Sequence, residues 1–110
     1  MVVLSATLER RAREAALEFS NYYPVRAAYV FGSHITGTAD ELSDIDLGVF
    51  AEGVESLSAV KRAQTISRVQ LKTGFDIEFH VFPACSFDDL DSASFAAYVR
   101  RHGAAVDIGR

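Results

Sequence analysis

Cysteine is nearly absent from this chain. Cys85 is the only one, so no disulfide can close within it, and zinc clusters built from several cysteines are excluded. The single thiol reads as a buried, inert one rather than a nucleophile. A basic surplus is also missing. Eleven Lys and Arg face fifteen Asp and Glu, for a net charge of −4, which argues against nucleic-acid binding driven by phosphate neutralisation. The same balance suits a protein that concentrates divalent cations. No apolar run approaches the roughly 18 residues of a membrane span. Met1–Leu4 is too short for a signal peptide and charge follows it, so a cytoplasmic location is expected. Two phosphate-binding fingerprints, GxGxxG and GxxxxGK[ST], do not occur, which disfavours Rossmann and P-loop folds.

What is present fits one domain spanning residues 1–110, close to the commonest domain size. Apolar residues make up 49% of the chain, enough for one core. No repeat, low-complexity run or linker divides it. A chain this short buries a modest fraction of its surface, and a deep cleft then calls for a partner, so homo-oligomerisation is expected.

Periodicity supplies the elements. Leu8, Ala12, Ala15, Ala16 and Phe19 recur at spacings of three and four, which predicts a helix over 5–21. Val25–Phe31 reads as a strand, broken by Gly32. Residues 33–43 are turn-prone, with a helical turn around Ala39–Leu42. A second strand covers Asp44–Phe50. A second long helix runs over 56–73, with Leu57, Val60, Ala63, Ile66 and Val69 along its face and Gly74 placed for a left-handed cap. A third strand covers Phe75–Phe82 and closes at Pro83. A last helix ends at His102, with Phe95, Tyr98, Val99 and His102 on one face, and a short edge strand follows within 104–108. The fold class is α+β: a small mixed β-sheet with helices packed on one face.

Side chains alternate between the faces of a strand. Ile45, Leu47 and Val49 therefore share one face, and Asp44, Asp46 and Gly48 the other. In the third strand, Phe75, Ile77, Phe79 and Val81 oppose Asp76, Glu78 and His80. Each strand offers an apolar side to the helices and a carboxylate side outward. Such alternation is also the ordinary mark of a half-exposed strand. If the strands are neighbours, three or four carboxylates gather and repel one another unless a cation joins them. Mg²⁺ takes a few carboxylate oxygens and keeps positions for water and phosphate. Two such ions can clamp an in-line displacement at phosphorus.

Gly32-Ser33 follows the first strand at once. A glycine there lets backbone approach a ligand, and turn amides with a serine hydroxyl can cradle phosphate oxygens. His34 beside it reads as a loop histidine. His80 is either a polar neighbour of the carboxylates or a surface residue, and His102 a helix-end residue. Asp88, Asp89 and Asp91 read as a solvated loop.

Taken together, Phe31-Gly32-Ser33, Gly37 and Ser43-Asp44-Ile45-Asp46-Leu47 resemble the signature of polymerase-beta-type nucleotidyltransferases, in particular the minimal ones of bacteria and archaea. The resemblance implies that Gly32 and Ser33 hold the β- and γ-phosphates of ATP or another nucleoside triphosphate. It implies that Asp44 and Asp46 bind Mg²⁺, with two ions in the site. Glu78, or Asp76 on the same face, is the third carboxylate that deprotonates the acceptor hydroxyl. The implied reaction moves a nucleoside monophosphate, AMP from ATP, to a hydroxyl. The implied acceptor is a tyrosine on a helical HEPN-type partner, as in a toxin–antitoxin pair. The alternative is an inactive domain of this fold that neutralises such a partner by contact. Family members carry arginine shortly after Gly-Ser, whereas this chain has His34, Ile35 and Thr36, leaving Arg26, Lys61 or Arg68 to serve the phosphates.

Overall fold

The computed structural model describes residues 5–39, 43–88 and 94–109. Helix α1 spans Ala6–Ser20, β1 Val25–Phe31, α2 Ser33–Thr36, β2 Ile45–Ala51, α3 Ala59–Thr73, β3 Ile77–Pro83, α4 Phe95–His102 and β4 Ala104–Ala105, with 3₁₀ turns at Val54–Ser56 and Ala84–Asp88. Serines start the three longer helices. The hydroxyls of Ser5, Ser58 and Ser94 accept hydrogen bonds from the amides of Leu8, Lys61 and Ala97, satisfying donors that a helix N-terminus leaves open.

The four strands lie in the order β3-β2-β1-β4. β1 is antiparallel to both β2 and β4, whereas β2 and β3 are parallel. A parallel pair needs a crossover of a dozen or more residues, and α3 supplies it. The register sets Asp46 beside Glu78 and Gly48 beside His80, while Phe31 faces Asp46 across β1 and β2.

Two cores result, one on each face of the sheet. Ala12, Ala15, Ala16 and Phe19 of α1 and Val69 of α3 pack on Ala28, Val30, Ile45, Leu47, Val49, Ile77 and Phe79. The small alanines let α1 lie close to the strands. On the opposite face, Phe31 and Phe50 pack with Ala96 and Val99 of α4, joined by Ala27, Tyr29, Phe82 and Phe87. The small mixed α+β sheet is as expected, but α4 crosses to the face that carries the carboxylates. Gly48 makes this possible. A Cβ there would come within 2.9 Å of Val99 Cγ1, so only a bare backbone lets α4 settle on β2.

Several local expectations change. α4 turns Ala96, Ala97 and Val99 inward, leaving Phe95 50% and Tyr98 46% exposed, because small residues fit the close approach to the sheet. β3 begins at Ile77, and Phe75 lies outside it and exposed. α3 starts three residues later than its apolar pattern suggests, and Val60 projects into solvent. Gly74 has a positive φ of 120° but extended ψ, so it does not form the left-handed cap. Cys85 is exposed, since the 3₁₀ turn buries its neighbour Ala84 instead. A helical turn does follow β1, but at Ser33–Thr36; most of the expected turn at 39–42, and Asp89 and Asp91, lie outside the described residues.

Candidate active site

One end of the sheet gathers the chemistry. β1 ends there at Phe31, and β2 and β3 begin there. Asp46 and Glu78 stand side by side on adjacent parallel strands, as strand alternation requires of residues that oppose Leu47 and Phe79. The two carboxylates differ in setting: the side chain of Asp46 is 25% exposed and that of Glu78 59%.

His80 completes the cluster. Its Nε2 lies 3.1 Å from Asp46 Oδ1, where a ring N–H can donate to the carboxylate, and 3.9 Å from Glu78 Oε1. One donor atom from each of Asp46, Glu78 and His80 falls within 4.8 Å of the others. Phe31 and Phe95 present edges to the imidazole at centroid distances of 4.9 and 5.8 Å. Strand alternation already put His80 on this face. Its contact with Asp46 needs the parallel pairing of β2 with β3, which sequence alone does not dictate.

Asp44 lies just ahead of β2, is exposed, and stands outside that three-residue cluster. Asp76 is taken elsewhere. Arg11 of α1 donates to both of its oxygens at 2.6 Å and also to Thr73 O at 3.3 Å. The Arg11 hydrogen bond holds the Asp76 carboxyl below its ordinary value, against a smaller opposing effect of burial. Asp76 is therefore the strut of an α1–α3 joint, and of the two residues considered for the third carboxylate only Glu78 borders Asp46.

Gly32 touches the cluster from the side. It has φ of 80° and ψ of −147°, a conformation that L side chains rarely adopt. Any Cβ on it would collide with Asp46 Oδ2. The requirement is thus double: backbone angle and space. From Gly32 the chain turns at once into α2. Its carbonyl accepts from the amides of Ile35 and Thr36, so the amides of Ser33 and His34 precede the first closed turn, where a helix start leaves its donors without a partner inside the helix. His34 Nε2 contacts Ser43 O at 3.3 Å, tying this turn to the approach of β2.

The cations considered for phosphate lie elsewhere. Arg26 pairs with Asp88 at 3.0 Å. Lys61 and Arg68 line a cleft of about 170 Å³ with Tyr22, Tyr23, Gln64 and Thr65, on the α3 side of the sheet.

This arrangement offers two carboxylates and an imidazole around one point, open to solvent through Glu78, beside the first amides of a helical turn. The donor set fits a divalent cation, since carboxylate oxygens are the preferred partners of Mg²⁺ and neighbouring carboxylates are relieved by one.

Residues 15–82 match the family described as "Polymerase beta, Nucleotidyltransferase". The chain is also similar to a solved structure of a candidate nucleotidyltransferase from Sulfolobus solfataricus, with a TM-score of 0.58 and 23% identity over 74% of this chain and 72% of that one. At that identity the structural likeness speaks for the fold alone. No curated protein gives a significant match.

Proposed function

This chain belongs to the polymerase-beta nucleotidyltransferase family, and from that premise we propose that it transfers a nucleoside monophosphate, AMP from ATP, to a hydroxyl. The observation that supports this reading is the pairing of Asp46 with Glu78 across β2 and β3, against the Gly32 turn.

In this reading Asp46 and Glu78, joined by the exposed Asp44, would hold a divalent cation such as Mg²⁺. When bound, it neutralises phosphate charge and favours ionisation of the acceptor hydroxyl. The chain's own residues do the rest. The amides of Ser33 and His34 and the Ser33 hydroxyl bind the β- and γ-phosphate oxygens. Gly32 keeps that turn close to Asp46. Glu78, exposed and free of the Arg11 pairing that occupies Asp76, takes the proton of the acceptor hydroxyl. The acceptor oxygen then bonds to the α-phosphorus while the bond to the pyrophosphate oxygen breaks, and pyrophosphate leaves. Positioning and charge neutralisation carry such a reaction. For the acceptor we propose a tyrosine of a helical protein partner, the class to which the sequence resemblance points.

The test is incubation with ATP labelled at the α-phosphate, Mg²⁺ and the candidate partner. Label should appear on the partner, and Asp46→Asn should remove it. Partner binding that needs neither nucleotide nor Asp46, with no label transferred, would instead establish a domain that acts by contact alone.

A further inference from the structure

The third donor of the cluster is nitrogen, and this has a consequence for which ion the centre selects. Two donors bound cis on one six-coordinate cation at about 2.1 Å stand about 3.0 Å apart, and two bound trans about 4.2 Å. His80 Nε2 is 3.1 Å from Asp46 Oδ1 and 3.9 Å from Glu78 Oε1, and the three donors lie within 4.8 Å of one another. The first two separations fall within the span of a single coordination sphere. The mostly exposed Glu78 side chain is free to close the remaining gap. The imidazole, by contrast, is not free to swing away. Phe31 meets it at 65° and Phe95 at 82° between ring planes, and a neighbour on β2, Gly48, sits beside it in register. The ring is therefore held with Nε2 toward the carboxylates before any ion arrives.

We propose that His80 Nε2 is a metal ligand, and that the position shared by Asp46, Glu78 and His80 takes a first-row transition ion such as Mn²⁺ in preference to Mg²⁺. The inference rests on the function proposed above and deepens it. Mg²⁺ is a hard ion that binds oxygen, whereas the first-row transition ions accept imidazole nitrogen increasingly along the series that starts at Mn²⁺, and Mn²⁺ suits the two carboxylates as well. A nitrogen fixed in the sphere therefore raises affinity for the transition ions and adds little for Mg²⁺.

The experiment measures binding and coordination on the full chain without nucleotide. Mn²⁺ binding is followed by the loss of its free-ion electron paramagnetic resonance signal, Mg²⁺ by competition, and the bound ion is examined by electron spin echo modulation for directly bonded ¹⁴N. The variants are His80→Ala and His80→Asp, the second of which keeps a ligand but makes it oxygen; circular dichroism checks that both fold. The wild type should show coupling from one imidazole nitrogen. His80→Asp should lose that coupling, and its preference for Mn²⁺ over Mg²⁺ should fall. Bound Mn²⁺ without nitrogen coupling, coupling that survives in His80→Asp, or an unchanged preference would overturn the inference and leave the proposed transfer standing, with His80 a hydrogen-bond partner of Asp46. A folded chain that binds neither ion would also overturn the inference, and the transfer is judged separately by label on the partner.

Discussion

Gly32 and Asp46 meet with no room between them, and that contact decides what each position tolerates. Gly32→Ala meets two penalties at once, a left-handed φ and a collision with Asp46 Oδ2. We expect a loss of about 1–3 kcal/mol from the backbone alone, read as a lower midpoint in urea. Nucleotide binding should fall further than stability, because the displaced carboxylate belongs to the site. Asp46→Asn and Glu78→Gln are nearly isosteric and partly exposed. Each should leave the unfolding midpoint within about 0.5 kcal/mol of the wild type and lower transfer roughly a hundredfold or more, the scale for removing one group that stabilises developing charge. Asp76→Asn should spare transfer and touch stability instead. That contrast checks the assignment of Glu78 over Asp76, and equal activity losses in the two variants would contradict it.

Between elements, the Arg11–Asp76 pair and the side chain that Gly48 lacks each help to hold the arrangement. Arg11 and Asp76 are 65 residues apart and join α1 to the end of α3. Because the pair is partly exposed, Arg11→Ala should cost no more than about 1 kcal/mol. Asp76 titrates below its ordinary value when folded. Its contribution is therefore complete above the unfolded carboxylate value of about 3.9 and disappears as pH falls through the lower folded value. Stability measured from pH 6 down should decline less steeply at the acid end in Arg11→Ala than in the wild type. Gly48 acts by absence. Gly48→Ala puts a methyl against Val99 and should cost about 1–3 kcal/mol as an overpacked contact. The loss should concentrate in α4, detectable as faster amide exchange there than in α1. Equal exchange in both helices would mean that α4 does not depend on this close approach.

On the scale of the whole molecule, the sheet separates support from chemistry. α1 and α3 cover one face. α4 covers the middle and far part of the other, where Phe50 stacks with Phe82 at 5.0 Å and meets Phe87 edge-on. The described residues leave the end with Asp46 and Glu78 open, Glu78 being 59% exposed. Ligand binding at that end must stabilise the fold as a unit. With metal and ATP at about a hundred times their dissociation constant, unfolding should cost about 2.7 kcal/mol more, measured as a rise in the thermal midpoint. In Asp46→Asn the rise should vanish. A rise of equal size in that variant would move nucleotide binding away from this end of the sheet. No described helix is long and apolar enough to cross a membrane.

Much of this was legible before any coordinates, because it depends on neighbours close in the chain. Strand alternation alone set Asp46 and Glu78 opposite Leu47 and Phe79, and the break after Phe31 marked Gly32 as a turn. Helical spacing found the alanine face of α1. Phe75 and the exposed faces of α3 and α4 were misjudged for the converse reason. Apolar spacing reports what a segment could bury, and only the approaching surface decides what it does bury. Three features were settled by contacts between residues far apart in sequence: the parallel register that brings His80 to Asp46, the capture of Asp76 by Arg11, and the seating of α4 on Gly48. Local periodicity orients a side chain to one side of its strand or helix, while the identity of its partner there is a matter of how the elements pack.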